Sequence, residues 1–360
     1  MRRELYFDVL KGIAIFMVVM GHVITMCIRD IDQTPLFKFV GQIHMPLFFF
    51  ISGWFSCRKD ATGRLRMPSL GKRAAQLLVP MVVVSSLWIW YFPHSGLYSP
   101  LQSTFGGLWL DPMKNGYWFT LCLFEIILVF AALVPLLRRS KGLGADCALG
   151  ALGWLVVVSL YVVFSGTEID AFLGLELPAT FFPAFMVGYI ASRHRDGFYR
   201  LTQNGWFTAS ALIVGAFALY YICWWWEFPG IEFWEEIQLA RKLAHLVFHV
   251  CLAIVAVAVF NPIVTRQCAA DREPPRWIKI WTYVGVNSLG IYLLHYFFLF
   301  PMGCVKDAML SLNLGFVPML VVSSCCAAAI IAVVLGLMRV IAVSAPLNFL
   351  LTGTLPRKRK

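Results

Sequence analysis

Three ionisable side chains stand in the first hydrophobic segment of this 360-residue chain, where lipid makes charged groups costly. They are Asp8, Lys11 and His22, within the run FDVLKGIAIFMVVMGHVITM. At about 100° per residue, a helix places Lys11 and His22 within roughly 20° of each other and about 16 Å apart along its axis. An acid, a cation and an imidazole on one helical face predict acid–base chemistry inside the membrane. The alternative is that Asp8 and Lys11 only pair near the cytoplasmic interface.

Other apolar segments carry further ionisable groups at a similar predicted depth. Counting residues along each segment places them in the outer half of the membrane with His22, whereas Asp8 and Lys11 lie nearer the cytoplasm. They are His44, Glu125, His249 and His295, with His245 closer to the outer surface. Imidazoles and a carboxylate at one level are groups that general acid–base catalysis uses. The competing interpretation of each histidine is a hydrogen bond between helices.

The elements that must position these groups are membrane helices. Hydrophobic residues make up 60% of the chain, charged residues 14%, and the mean hydropathy is +0.75, which excludes an ordinary soluble domain. Backbone groups in lipid must be satisfied within each segment, so the spans are helical. The predicted fold is all-α: a polytopic membrane helix bundle with about ten transmembrane helices, forming a single domain over residues 1–360 with no appended soluble domain. The predicted spans are 5–27, 36–56, 74–92, 117–137, 145–164, 176–192, 207–226, 241–261, 280–302 and 315–343.

Basic residues set the predicted orientation. Most of the 30 lysines and arginines fall in segments on the same side as the N-terminus, which is the cytoplasmic side by the positive-inside rule. Both termini are therefore expected in the cytoplasm, in a multi-pass protein of the inner (plasma) membrane. The net charge of +11 follows from this topology. Membrane lipids are expected partners, and nucleic acid is not, because no folded domain offers a basic face.

The aromatic and sulfur-containing residues add two expectations. Trp88, Trp90, Tyr117 and Trp118 are predicted at the outer interface as aromatic anchors. The ten cysteines show no spacing typical of a metal site or a disulfide framework. We therefore expect no metal and no disulfide.

Two motifs near the N-terminus resemble the acyltransferase-3 family of integral-membrane O-acyltransferases. The run Asp8-Val-Leu-Lys11-Gly-Ile, followed by Gly21-His22, is similar to the family's opening helix, in which Arg or Lys precedes His with ten residues between them. The stretch HMPLFFFISG, which begins at His44, resembles the fucose 4-O-acetylase-like branch.

Later segments extend the resemblance over the first nine helices. Tyr117-Trp118-Phe is similar to the start of the family's fourth helix, and SLGIYLLH, from Ser288 to His295, resembles a late family segment. One departure lies before the third span, where RAAQ begins at Arg73 and many members have Arg-x-x-Arg. Only Arg73 is carried over.

The resemblance implies transfer of an acyl group, usually acetyl, from cytoplasmic acyl-CoA to a sugar hydroxyl of a cell-surface or lipid-linked glycan. Acetyl-CoA would then be a donor substrate, with no tightly bound cofactor. His22 would be the general base, directly or through an acyl-His intermediate, with Asp8 and Lys11 on the same helix. The remaining implied roles are donor binding by Lys11 and Arg73, orientation of His22 by Glu125 or His44, and substrate contacts by Trp118, Tyr117, Ser288 and His295.

Two hypotheses from other classes stay open at this point. In the first, the chain is a transporter or flippase of a lipid-linked sugar, and its intramembrane histidines and Glu125 form a proton relay. In the second, it is a non-catalytic membrane partner of a glycan assembly complex. Acyl-CoA turnover separates both from an acyltransferase.

Overall fold

The described part of the chain is almost entirely helical. The computed structural model describes residues 4–28, 35–59, 63–91, 105–224, 238–268, 273–311 and 316–354. The predicted span ends at 92, 226 and 315 and the terminal residues 1–3 and 355–360 lie outside these ranges. The helices are α1 (Leu5–His22), α2 (Pro35–Trp54), α3 (Leu70–Tyr91), α4 (Phe105–Leu110), α5 (Trp118–Arg139), α6 (Leu143–Phe164), α7 (Glu168–Leu173), α8 (Glu176–Arg193), α9 (Arg195–Gln203), α10 (Gly205–Trp224), α11 (Gln238–Gln267), α12 (Arg276–Val286), α13 (Ser288–Leu294), α14 (Gly303–Ser311), α15 (Phe316–Ile341) and α16 (Ala345–Thr352).

The predicted polytopic membrane bundle is confirmed. Seven helices of the described ranges are long and apolar enough to cross a membrane. Their spanning parts are Leu5–Cys27, Leu70–Tyr91, Trp118–Arg139, Leu143–Phe164, Gly205–Trp224, Lys242–Gln267 and Val317–Ile341. Shorter apolar helices, Phe39–Trp54 and Ser288–Phe298, together with α8, occupy the other predicted spans.

The ninth predicted span, 280–302, is not one continuous helix. It breaks at Asn287, where φ is −95° and ψ is 8°, and α13 then ends in a 3₁₀ turn, His295–Phe298. The cause is local, because the Asn287 side-chain amide donates to the Tyr283 carbonyl at 2.8 Å and competes with the helical hydrogen-bond ladder. The break allows the residues that follow Ser288 to approach the centre of the bundle at their own angle.

Helix α1 lies at the centre of the bundle. It packs against α2, α12, α15, α11 and α13. Its contact with α12 is a backbone-to-backbone crossing, because a Cβ on Gly12 would lie 2.3 Å from the Trp281 carbonyl oxygen and one on Gly285 would lie 1.8 Å from the Asp8 carbonyl oxygen. Small residues that bring helices this close are typical of membrane interfaces. This close packing keeps the face of α1 that carries Asp8 inside the protein.

Basic segments predicted to face the cytoplasm meet at one end of the bundle. The Arg138 side chain donates to the Leu65 carbonyl at 2.9 Å, and Arg193 donates to the Leu137 carbonyl at 2.7 Å. Glu4, just before α1, forms an ion pair with Arg195. The N-terminal end of the described chain therefore lies on the same side as these three segments, in agreement with the predicted orientation.

Candidate active site

His22 stands at the point where α1 changes its winding. The chain continues directly into a π-helical turn, Val23–Cys27, a feature that is frequent at functional sites. Nε2 of His22 lies 2.9 Å from the hydroxyl oxygen of Tyr296. The ring also lies 5.3 Å from that of His295, between centroids. The structure thus brings two of the predicted imidazoles together.

His295 is fully buried and presents one nitrogen in a defined protonation state. Its Nδ1 lies 3.0 Å from the Ile291 carbonyl oxygen and 2.8 Å from that of Tyr292. Because carbonyl oxygens only accept, this geometry assigns the proton to Nδ1. Nε2 then carries a lone pair and has no hydrogen-bond partner among the described residues. A buried acceptor of this kind is suited to bind a substrate hydroxyl.

His44 is the third imidazole of the cluster. Its Nδ1 lies 2.6 Å from the Val40 carbonyl oxygen, one turn earlier in α2. It is close enough to His22 to interact with it electrostatically. Of the groups predicted at one depth, His22, His44 and His295 therefore share a site.

Aromatic hydroxyl groups complete the surroundings of the imidazoles. The Tyr292 hydroxyl donates to the Gly116 carbonyl at 2.6 Å and accepts the backbone N–H of Phe119 at 3.1 Å. The Tyr117 ring lies 4.9 Å from that of Tyr296. The start of α5 and the end of α13 are thereby fixed against each other beside His22.

The exposed fractions of the aromatic residues predicted as interface anchors differ. Trp90, 73% exposed, fits the anchor prediction. Trp88 and Tyr117 are 1% and 0% exposed, so neither is a lipid-facing anchor. The Tyr117 ring instead packs beside the imidazole cluster, 4.9 Å from the ring of Tyr296, and its contact with a sugar stays a prediction.

Sequence reasoning missed Tyr296 and Gly116. Gly116 has φ +96°, and a Cβ there would lie 1.9 Å from the Tyr296 hydroxyl oxygen, so this position excludes every other residue type without rearrangement. The Asn115-Gly116 dipeptide is a turn signal that could have drawn attention to the second of these residues. The position of Tyr296, directly after His295, carries no comparable signal.

An apolar cavity of about 140 Å³ runs beside the polar face of α1. Lys11, Ile15 and Val18 line it, and His22 is the next residue on this stripe. Ser288 lines the opposite wall. The Lys11 ammonium also lies 2.7 Å from Asp8 Oδ1, so Lys11 both forms the expected ion pair and borders the cavity.

A second cavity, of about 300 Å³, opens at the cytoplasmic ends of α2 and α3. Four cations line it: Arg58, Arg66, Lys72 and Arg73. The two cavities adjoin along three segments, because a residue that lines the apolar cavity stands four positions from one that lines the basic cavity in α2 and the turn after it, in α3 and in α5. These pairs are Ser52 and Ser56, Leu77 and Arg73, and Leu123 and Ile127. The basic cavity and the apolar cavity are therefore neighbours, and the apolar cavity lies along the face of α1 that leads to His22.

Three predicted residues lie away from this cluster. Both carboxylate oxygens of Glu125 are buried without a hydrogen-bond partner among the described residues, and its electrostatic partner is Lys114. Trp118 stacks on Phe181, with ring centroids 5.4 Å apart. His249 stacks against the same phenylalanine at 6.1 Å. The structure does not bring Glu125 or His249 to His22.

The fold and the site define a class: a multi-pass membrane helix bundle with a buried cluster of three imidazoles and a cavity lined by four cations. The family model described as an acyltransferase domain, Acyl_transf_3, matches residues 4–337. The chain belongs to this family and is a membrane acyltransferase. The resemblance drawn from its motifs is thereby confirmed.

Two curated relatives carry the name nodulation protein NolL. The protein of Mesorhizobium japonicum is 26% identical over 316 residues, which cover 81% of this chain and 75% of the relative. That of Sinorhizobium fredii is 41% identical over 88 residues, which cover 22% of this chain and 23% of the relative. No solved structure matches the chain.

Proposed function

We propose that this acyltransferase moves an acyl group, in the simplest case acetyl, from cytoplasmic acyl-CoA to a sugar hydroxyl of a cell-surface or lipid-linked glycan at the inner (plasma) membrane. The observation that carries the proposal is that the basic cavity and the apolar cavity adjoin along α2, α3 and α5, and that the apolar cavity follows the face of α1 that leads to His22. Family membership supplies the reaction type. It also favours the enzyme over the transporter and the non-catalytic partner.

The basic cavity suits the charged part of the donor. Coenzyme A carries several phosphate groups, and arginine and lysine bind phosphate through charge-assisted hydrogen bonds. Arg73 and Arg66 are the arginines that we expect to contribute most, because they line this cavity from two different segments. Acyl-CoA acts here as a consumed substrate and not as a resident cofactor.

The apolar cavity suits the slender arm that links the nucleotide to the thioester. Its walls are largely hydrocarbon, and Lys11 and Ser288 are among the polar side chains that line it. An arm that follows the stripe of Lys11, Ile15 and Val18 would bring the thioester toward His22, the next residue on that face. Donor and acceptor would then meet at the imidazole cluster.

His22 would act as general base through the Tyr296 hydroxyl. As the acceptor oxygen attacks the thioester carbonyl carbon, its proton passes to the Tyr296 oxygen while the phenol proton passes to Nε2 of His22. Collapse of the tetrahedral intermediate breaks the carbon–sulfur bond, and the coenzyme leaves as a thiol after taking the proton from the imidazolium. An acyl-imidazole intermediate is the alternative route, and trapping a mass increase on His22 would reveal it.

The acceptor would bind on the outer side of the imidazoles. Nε2 of His295, which has no hydrogen-bond partner among the described residues, would accept a sugar hydroxyl, and the Tyr117 ring beside Tyr296 would form an apolar wall of this part of the site. Trp118 remains a predicted sugar contact at the start of the same helix. That the acceptor is a glycan rests on the family resemblance.

A rescue experiment in cells tests the function. Surface and lipid-linked glycans would be compared by NMR and mass spectrometry in cells that lack the protein and are rescued with the wild type, His22→Ala or His245→Ala at matched membrane levels. His245→Ala is the control, because it removes an imidazole that lies outside the cluster. We expect O-acyl groups to return with the wild type and the control and not with His22→Ala.

Either of two results contradicts the proposal. Full restoration by His22→Ala would make His22 a structural residue. A change in glycan export with no change in acylation would support a transporter.

A further inference from the structure

A buried ammonium group lies at the outer end of the bundle. Lys114 begins the 3₁₀ turn Lys114–Gly116 between α4 and α5 and is 0% exposed. Its Nζ donates three hydrogen bonds to carbonyl oxygens, at 2.9 Å to Trp109, 2.6 Å to Asp111 and 2.9 Å to Ala171. These bonds use every N–H of the ammonium, which compensates part of the cost of burying a charge. The turn is therefore built around this group.

The main chain at this turn is strained. The φ angle is 49° at both Lys114 and Asn115 and +96° at Gly116, so three successive residues are left-handed. For the two that carry a Cβ, this conformation costs about 1–2 kcal/mol each. The Asp111 carboxylate helps to hold it by accepting the backbone N–H groups of Met113 at 3.0 Å and Asn115 at 2.8 Å. Strain of this kind persists only where surrounding contacts determine it.

The strained turn ends at the imidazole cluster. Gly116 accepts the Tyr292 hydroxyl at 2.6 Å, and its Cα faces the Tyr296 hydroxyl so closely that a Cβ would lie 1.9 Å from that oxygen. The same Tyr296 oxygen lies 2.9 Å from Nε2 of His22. Lys114 thus connects to His22 through Asn115 and Gly116 of the turn and through the Tyr296 hydroxyl.

Lys114 also ties two outer segments together. Its bond to Ala171 reaches α7, and Trp109 stacks on Phe172 of the same helix with ring centroids 5.6 Å apart. Neither segment lines the basic or the apolar cavity described above. A change at Lys114 should therefore affect the proton-transfer end of the site and leave the donor entrance unaltered.

We infer that Lys114 is a positioning residue for acyl transfer: its ammonium holds the turn in which Gly116 sets the Tyr296 hydroxyl against His22. The inference rests on the proposed function and adds to it a residue that touches neither substrate. It predicts a loss in kcat without a change in the KM of the donor. It also predicts that substitutions of Lys114 and of Tyr296 have effects on kcat that are not independent.

The test is a double-mutant cycle in membranes from cells that lack the native protein, with [1-¹⁴C]acetyl-CoA as donor and the endogenous glycans and lipids as acceptors. Wild type, Lys114→Met, Tyr296→Phe and the double variant would be compared at matched protein levels. Lys242→Met is the control, because it removes a half-buried lysine whose ammonium lies 4.4 Å from the centroid of the Tyr161 ring and which lines neither cavity. We expect Lys114→Met to lower kcat about 100-fold, the loss that a 1 Å misplacement can produce, with the donor KM unchanged.

The double variant decides whether the residues are coupled. If Lys114 and Tyr296 act as a unit, their losses in kcat do not multiply. The kcat of the double variant should then be no lower than that of the less active single variant. Multiplying losses, an unchanged kcat in Lys114→Met, or a raised donor KM would overturn the inference. If Lys114→Met does not accumulate in the membrane, Asp111→Asn replaces it in the test. This variant keeps the Lys114 ammonium and removes a carboxylate that holds the turn. A wild-type kcat in Asp111→Asn would also overturn the inference. Absence of transfer by the wild type would instead refute the proposed function, and the inference with it.

Discussion

The hydroxyl oxygen of Tyr296 lies 2.9 Å from Nε2 of His22, although 274 residues separate the two side chains in the sequence. This contact joins the first transmembrane helix to the 3₁₀ turn that ends the ninth membrane segment. It places a phenol between the predicted base and the outer side of the site. The role of that phenol can be measured directly.

Tyr296→Phe removes the hydroxyl and keeps the ring that packs against Tyr117 and His295. If the phenol passes the proton, transfer should fall by about 10²–10⁴-fold, the usual contribution of a positioned proton-transfer group. Initial rates of acetyl transfer in membranes would measure this loss. A loss of only a few-fold would indicate that Tyr296 merely orients the imidazole, and that the acceptor hydroxyl reaches His22 directly.

Gly116→Ala tests the close packing behind the phenol. A methyl group there would lie 1.9 Å from the Tyr296 hydroxyl oxygen and must displace it, in addition to a strain of about 1–2 kcal/mol at positive φ. We expect transfer to be nearly lost. Gly63→Ala is the matched control, since Gly63 has φ +77° and nothing within 4 Å of an added Cβ. Equal activity of the two variants would show that Gly116 serves only the backbone.

The sequence predicts which residues share a face of one helix better than it predicts which residues of different helices are neighbours. The spacing of Lys11 and His22 predicts a shared helical face, and the cavity along Lys11, Ile15 and Val18 agrees with it. Depth alone grouped His295 and Glu125 equally with His22, yet only His295 is its neighbour. The order of helices around a bundle depends on packing between distant segments, which periodicity within one segment does not report. The break at Asn287 escaped prediction for a related reason, because a side-chain hydrogen bond outweighed a continuous apolar pattern.

The basic cavity makes a prediction about donor affinity. Arg73→Gln keeps a polar, uncharged hydrogen-bonding side chain and removes one charge from the lining. Loss of a charge-assisted hydrogen bond to phosphate, about 1.5–3 kcal/mol, should raise the KM for acetyl-CoA by about 10–100-fold and leave kcat near its original value. Arg200→Gln is the control, because Arg200 lies on the same cytoplasmic side but outside the cavity. An equal effect of both substitutions would point to general surface charge rather than a binding site.

The Lys11–Asp8 pair can be separated into structural and functional parts. Lys11→Met removes the ammonium that lies 2.7 Å from the buried Asp8 carboxylate, so it should lower the free energy of unfolding. The double variant Lys11→Met with Asp8→Asn removes both charges of the pair and should recover most of that stability. If Lys11 also serves the donor arm, acetyl transfer should stay low in the double variant. Thermal unfolding in detergent and transfer rates would be measured on the same preparations, and recovery of both would reduce the pair to a structural role.

The Lys114 ammonium predicts an alkaline limit to activity. Burial lowers the pKa of Lys114 to about 8, against the opposing effect of the Asp111 and Glu125 carboxylates. Below this pH the ammonium has a donor for each of its three carbonyl partners, whereas above it the neutral amine has two donors for three acceptors. The turn should then release one carbonyl, and kcat should fall as pH rises through about 8 while the donor KM stays constant. Asp111→Asn removes a carboxylate that favours the charged form, so the same fall should occur at lower pH in that variant. A kcat that is level from pH 7 to 9 in the wild type, or a limb that does not move in Asp111→Asn, would contradict the assignment of this titration to Lys114.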